Sequence, residues 1–534
     1  MALEWLMPAR YTSARFVGRE RELARLAIAL DQAAGGRSTT LLVAGTGGLG
    51  ASRLLTETER RLTALSEPFT VIRGRPTAAE RASPYGPIVA GLAPILAALT
   101  GAELATVVGT GGAELVRLFP ALEPRLADAG VDGGPRQVIA PERRQARVLE
   151  RFVGLLASLG ERRPVLLVME DLHGVDAATR ALVTFLARLS RPQRLVVVGT
   201  YQPDEMTRGH PFHADLAAMA DTPRPAERLD LGPLGRDELA DLVEGIEGER
   251  PSASVLLLVA ERSHGNPLVA EELLAARREE GGAMLAGSLA VLVLARLARR
   301  SPECRRLLRL VAAADGPLTR GELAAVAAAL ESGSVRRPPR SAGPRRPDSD
   351  LEPTLAAGIA EALEHSWIVA DATAEGPTAL AFRNDLIGRA VAADLLPLQR
   401  RRHLAAVATA LAHAPAAATR CWLAAYDVGR ARASALEAAA RAEDVDAPQD
   451  ALELLDHVLE LSDPVGSTVD LSSGSTAAEG LPALQGRAAE AAFAAGRPLR
   501  AAAFAEAAIA RLDERRERVR LGLLYERLGR YRRA

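Results

Sequence analysis

The residues with the clearest chemical potential lie in LLVAGTGGLGASRLL, residues 41–55. A short apolar run, a turn holding Gly45, Gly47, Gly48 and Gly50, and an amphipathic run follow one another there. Such glycines leave backbone N–H groups free to encircle an anion at a helix N-terminus. The spacing from Gly45 to Ser52 is that of the phosphate-binding pattern GxxxxGK[ST] at every defining position but one, because Ala51 stands where the lysine belongs. Thr46 and Leu49 complete the loop, and Ser52 keeps the hydroxyl that would hold Mg2+. A second segment, RRPVLLVMEDLHGVD (162–176), brings the adjacent carboxylates Glu170 and Asp171 to the end of an apolar run. One suits Mg2+, usually through water, and the other can polarise an attacking water. His173 follows, either as a polar partner in the site or as a structural hydrogen-bonding group. In RLVVVGTYQPDEM (194–206), Thr200 and Gln202 end a third apolar run beside where a γ-phosphate would lie. In ERSHGNPLVAEELL (261–274), Gly265, Asn266 and Pro267 break one helical pattern and open another. Asparagine occurs only at Asn266 and Asn384, and its use in such a turn points to a specific cap or contact.

All 66 Lys and Arg residues are arginine. Alongside abundant Ala, Gly and Pro, most of these positions express compositional bias, but at position 51 the consequence is chemical. A chain without lysine excludes a phosphate-loop lysine, a Schiff-base lysine and a lysine general base. Arg53 is the nearest cation, but on a helix starting at the loop it should point away from the phosphates, and a guanidinium reaches differently from an ammonium. The other totals, 48% hydrophobic, 25% charged and a formal net charge of -1, describe a globular chain with no excess of positive charge for nucleic acid. Cys304 and Cys421 are too few for a disulfide framework or a CxxC metal site, which fits the cytoplasm. The uncharged stretch 82–102 has the length of a membrane span, yet Pro84, Pro87 and Pro94 interrupt it. It is expected to be a loop entering a helix near Pro87, with no membrane contact.

These chemical groups need a scaffold. Apolar runs at 40–44, 69–73, 165–169, 195–199 and 228–231 alternate with helical patterns, the signature of a parallel α/β sheet. From residue 232 helical spacing takes over, and residues 285–395 mix helices with a short hairpin expected around 367–369 and 379–382. The Pro- and Arg-rich insertion at 331–352 is expected to be disordered. After residue 395 come Ala-rich helical hairpins, with a break at 462–480 and a turn at Gly496 and Pro498 between two helices of 481–512. Small residues there favour close packing of the tetratricopeptide-like solenoid kind. The sequence stops inside what reads as a further hairpin.

Taken with FVGRERELARL (16–26), LDLGPL (229–234) and LAFRNDLIGRAVAADLLPLQRRRHLAAVATAL (380–411), these segments run in the order found in signal-transduction ATPases. The chain resembles in particular the large ATP-binding regulators of the LuxR type. The resemblance implies a tail at 1–14, an AAA-like NTPase domain at 15–231 and a helical lid at 232–284. A winged-helix-like domain at 285–395 and a tetratricopeptide-like region at 396–534 would follow, with a helix-turn-helix DNA reader beyond the end. It would place Val17, Gly18 and Arg19 on the adenine side, and Gly45, Thr46, Gly47, Gly48, Leu49, Gly50, Ala51 and Ser52 around the phosphates. Ser52 and Glu170 would serve Mg2+, Asp171 the water, and Pro267 would couple the lid to the nucleotide. The chain departs from the family at Ala51, at Gln202 in place of a γ-phosphate-sensing arginine, at Gly174 for a tryptophan and at Asn384 for a histidine.

Losing one charge-assisted phosphate contact costs roughly 1.5–3 kcal/mol, about ten- to a hundredfold in affinity. The expectation is therefore weak binding of ATP or ADP with Mg2+, little or no hydrolysis, and a nucleotide-dependent switch. A small-molecule or protein effector would act through the helical repeats, and DNA only through the domain beyond the end. Two alternatives stay open: an interaction scaffold with a vestigial nucleotide site, and an active ATPase with a substitute cation.

Overall fold

Five apolar runs become the strands β1 (Thr39–Ala44), β2 (Thr70–Arg73), β3 (Val165–Met169), β4 (Leu195–Tyr201) and β5 (Glu227–Asp230). The computed structural model describes residues 11–63, 67–74, 77–109, 112–128, 140–189, 193–279, 288–314, 316–331, 351–371, 379–462, 480–512 and 518–534. The first ten residues, most of the 331–352 insertion and residues 463–479 of the 462–480 break lie outside these. The strands form one parallel sheet in the order β2-β3-β4-β1-β5. β3 and β4 are buried along their whole length, because both faces of a parallel sheet are covered. Alternate side chains enter opposite cores: Leu42 and Ala44 share one with Leu167 and Met169, while Leu41 and Val43 share the other with Leu166 and Val168. The register sets Ala44 opposite Tyr201 and Met169 opposite Gly199. The loops after β1, β3 and β4 therefore leave from one edge, the carboxyl edge where ligands of such sheets bind.

Helices Arg236–Glu247, Ala253–Ser263 and Pro267–Glu279 form a three-helix unit with its own apolar core around Leu239, Val243 and Val259. Next, helices Leu289–Ala298, Pro302–Ala314, Arg320–Glu331 and Leu351–Glu364 accompany β6 (Leu318–Thr319), β7 (Ile368–Asp371) and β8 (Ala379–Phe382). These strands make an antiparallel sheet in the order β6-β8-β7, which includes the expected hairpin, and helix Asp385–Ala393 follows. We refer to this part as the hairpin unit. The stretch 82–102 gives helix Gly86–Ala98, entered near Pro87 as its composition suggests. Among the described residues no helix is long and apolar enough to cross a membrane.

The remaining helices, from Pro397–Ala410 to Arg518–Arg533, are mostly short and follow one another as tetratricopeptide-like hairpins. Three of them end alike, on a left-handed residue (Tyr426, Asp446, Gly496) and a six-to-one backbone bond that satisfies a terminal carbonyl. These bonds run from Asp427 N to Trp422 O (3.0 Å), Ala447 N to Ala442 O (2.9 Å) and Arg497 N to Ala492 O (2.8 Å). Fully buried Ala442, Ala451, Ala488 and Ala501 allow the helices close approach.

Helix Pro448–Glu460 docks on the sheet domain. Its Asp450 accepts hydrogen bonds from Ala177 N and Ala178 N, both 2.9 Å, in the first turn of helix Ala177–Arg188 beyond β3. Asp176 caps the same helix through Thr179 N (2.7 Å) and also accepts from Tyr85 N (2.9 Å). Burial pushes both carboxyls above the usual range, and for Asp450 the charge of Asp176 adds to the effect. A carboxyl raised in the folded state binds its proton better there than in the unfolded chain, so its contribution to stability falls as pH rises from about 4. Asp450→Asn removes one charge and keeps an oxygen acceptor. The Tm of the wild type is expected to fall relative to that of D450N as pH rises from about 4; parallel profiles would show that this docking carries no such charge.

Candidate functional site

The loop after β1 turns into helix Ala51–Leu62 through two left-handed glycines, Gly48 (φ 86°) and Gly50 (φ 95°). Only glycine adopts these angles without strain. Among the described residues no side chain caps this helix, so its first N–H groups, at Ala51 and the exposed Ser52, remain for an anion. Arg53 turns away, as helical geometry implies: it bonds Glu271 (3.3 Å) and the Arg15 carbonyl (2.9 Å).

Asp171, at φ 52°, is held by its own N–H on Thr200 Oγ1 (2.9 Å) and by Gln202 Nε2 on its carboxylate (3.3 Å). Among the described residues Gln202 Oε1 is buried without a partner, and it lies 3.0 Å from where a Cβ on Gly47 would stand. His173 Nδ1 accepts from Gln202 N (3.3 Å), which leaves Nε2 to face Glu205 (3.3 Å). Glu205 also takes Arg389 of the hairpin unit (3.0 Å). Burial raises the Glu205 carboxyl, but Arg389 and His173 outweigh it and hold it below its ordinary range. His173 is thus a link between β4 and the hairpin unit. Leu386 of that unit comes within 2.8 Å of the same Cβ position on Gly47.

Asn266 serves as both cap and contact. Its Oδ1 accepts from Leu268 N (3.0 Å) and Val269 N (3.3 Å) to cap helix Pro267–Glu279, while Nδ2 donates to Gly47 O (3.0 Å). Leu268 N reaches Gly48 O (3.3 Å). The residues on either side of Pro267 therefore make the contacts with the loop. Between the loop and the three-helix unit lies a cavity of about 580 Å³, lined by Thr46, Leu49, Pro233, Arg262, His264 and Asn266 among others. That volume is within the range of small-molecule sites.

Val17, Gly18 and Arg19 are not among the lining residues of this cavity. Gly18 lies against Glu238, and Arg19 bonds the carbonyls of Leu49 (3.0 Å) and Gly232 (2.6 Å), bracing the loop from behind. Glu170 is also engaged, by Arg73 at the end of β2 (2.6 Å). Arg73, Arg262 and His264 were not singled out by sequence reasoning. Arg73 lies 97 residues from Glu170 along the chain, and only strand order brings them together.

Residues 15–198 match the protein family described as AAA ATPase domain. An AAA ATPase domain is a nucleotide-binding domain, typically one that uses Mg2+. Among solved structures, the chain is similar to the Signal Transduction ATPase with Numerous Domains (STAND) protein with a tetratricopeptide repeat sensor from Pyrococcus horikoshii. Identity is 12% and the TM-score 0.47, with 99% of this chain and 65% of that one covered, so the chain spans less than two thirds of its length. It is also similar to a Walker-type ATPase of Pyrococcus abyssi, at 17% identity and TM-score 0.33, covering 72% of this chain and 98% of that one. No curated protein matches. For the nucleotide itself, the uncapped turn and the left-handed glycines of the AAA ATPase domain fit a phosphate. For Mg2+ the fit is poor: Ser52 is exposed and available, but the carboxylate of Glu170 is already paired.

Asn266 allows a direct test of the loop contact. Asn266→Asp keeps the helix cap and loses the donor to Gly47, whereas Asn266→Ala loses both. Loss of a cap costs about 0.5–2 kcal/mol. Thermal melts should order wild type above N266D and N266D above N266A; equal melts for all three would show that neither bond contributes.

Proposed function

We propose that this chain is a nucleotide-dependent switch, a signal-transduction regulator of the LuxR type that binds ATP or ADP weakly and hydrolyses it poorly or not at all. In this reading the three-helix unit (residues 232–284) is a lid, residues 285–395 are a winged-helix-like domain, and the C-terminal helices receive a small-molecule or protein effector. DNA contact would belong to a domain outside these residues. The observation that carries the proposal is the pair of bonds from Asn266 Nδ2 and Leu268 N to the carbonyls of Gly47 and Gly48. A ligand filling the loop must change or use these bonds, and the lid is bound to respond.

Weak hydrolysis follows from the residues around the reacting phosphate. Lysine and a sensing arginine stabilise charge that develops during transfer. Ala51 has no charge, Gln202 is neutral, and the Gln202 amide occupies an oxygen of Asp171, the group proposed to polarise water. Ground-state binding depends less on these groups, because the backbone N–H groups remain.

Titration with a fluorescent ATP is expected to give saturable binding in the wild type. Ala51→Lys should tighten it about ten- to a hundredfold, the value of one charge-assisted phosphate contact. Phosphate release should stay at background in both wild type and Asp171→Ala. Turnover that Asp171→Ala abolishes would overturn the hydrolysis-poor reading; absence of saturable binding would favour a scaffold with a vestigial site.

A further inference from the structure

We infer that Arg73 takes the place of the divalent cation, so that this site holds its nucleotide without Mg2+. The inference rests on residues 45–52 being the phosphate site and goes beyond it by assigning the form of nucleotide bound. Arg73 ends β2, directly beside β3, and its side chain is only 7% exposed. Nε and Nη2 both donate to Glu170 Oε1, at 2.9 and 2.6 Å. Nη2 also faces the Ser52 carbonyl (3.4 Å), while Nη1 donates to Thr56 Oγ1 (3.0 Å) and Glu59 Oε1 (3.0 Å). A guanidinium has five N–H groups, and these contacts give each of them an acceptor. The group is therefore fixed between the first turns of the phosphate-loop helix and the carboxylate at the end of β3.

Those are the two points between which a phosphate-loop ATPase holds its metal. Mg2+ sheds water reluctantly and is bound through one or two carboxylates with the substrate phosphates. Here the Glu170 carboxylate is already paired with Arg73, which leaves it less charge to draw a metal ion from its water. The Arg73 guanidinium offsets the charge of Glu170 and Glu59, which would otherwise repel phosphates beside a loop that has lost its lysine, and it does so when no metal is present. Glu59 holds it from the other side, so the arrangement does not depend on a ligand to stay in place.

The test is the affinity of the full chain for a fluorescent ATP, measured in EDTA and in excess Mg2+. The wild type is expected to bind equally in the two buffers, within about twofold. In Arg73→Met, binding in EDTA should weaken about tenfold or more, and Mg2+ should restore it because Glu170 is released. Wild-type binding that Mg2+ strengthens tenfold or more overturns the inference while leaving the nucleotide reading intact. Failure to bind in either buffer removes the nucleotide reading, and this inference with it. A circular-dichroism melt establishes that R73M is folded, and the wild-type comparison decides the matter even if it is not.

Discussion

Two adjacent carboxylates on helix Pro267–Glu279 hold the ligand edge of the sheet to the units that follow it. Glu271 takes Arg53 from the phosphate-loop helix (3.3 Å) and Arg383 from the hairpin unit (2.8 Å). Glu272, with no exposure at all, takes Arg296 (2.5 Å) and the same Arg383. Burial drives the carboxyl of Glu271 up, against the pull of Arg383 and Arg53. At Glu272 burial acts in the same sense, but Arg383 and Arg296 prevail and the carboxyl lies below its ordinary range. Removing one member of a buried ion pair typically costs about 3–5 kcal/mol, because the remaining charge stays in a medium that solvates it poorly. Phosphate-loop helix, three-helix unit and hairpin unit must therefore adopt their places together.

The same helix begins on the phosphate loop. Asn266 and Leu268, at its N-terminus, bond the loop carbonyls, and one turn later Glu271 and Glu272 bond the arginines. In the proposed switch, a displacement of the loop would pass along this helix to charges that tolerate little displacement. Arg296 adds to this rigidity, packing over the rings of Tyr11 and Trp367 with its guanidinium carbon 5.0 and 4.9 Å from their centroids. Farther away, Glu205 joins His173 to Arg389, so the hairpin unit contacts the sheet edge at a second point. Two links from one unit to both sides of the loop make an arrangement suited to switching between discrete states.

Much of this was legible along the chain, where the information is local. Uninterrupted apolar runs identify β3 and β4, glycine spacing identifies the loop, and helical geometry alone turns Arg53 away from it. The scarcity of asparagine marks Asn266 in the sequence itself. What could not be read depends on contacts made across the sheet. Arg73 looks like any strand-terminal arginine until β2 is placed beside β3. Asp450 caps a helix 272 residues away from it in sequence. The repeat was visible at Gly496 but not at Tyr426 or Asp446, since tyrosine rarely enters a left-handed turn and aspartate does so far less often than glycine. Likewise, nothing in the spacing of their motif shows that Gly18 packs against Glu238 or that Arg19 bonds the loop backbone.

The central claim is that occupancy of the phosphate loop is felt through helix Pro267–Glu279 by the hairpin unit. Amide hydrogen exchange of the full chain with and without ADP tests it most directly, since it reads all three segments in one experiment. The account predicts that nucleotide changes protection together at residues 45–52, 264–274 and 380–389. A change confined to residues 45–52, with the other two segments unaltered at saturating nucleotide, would contradict it.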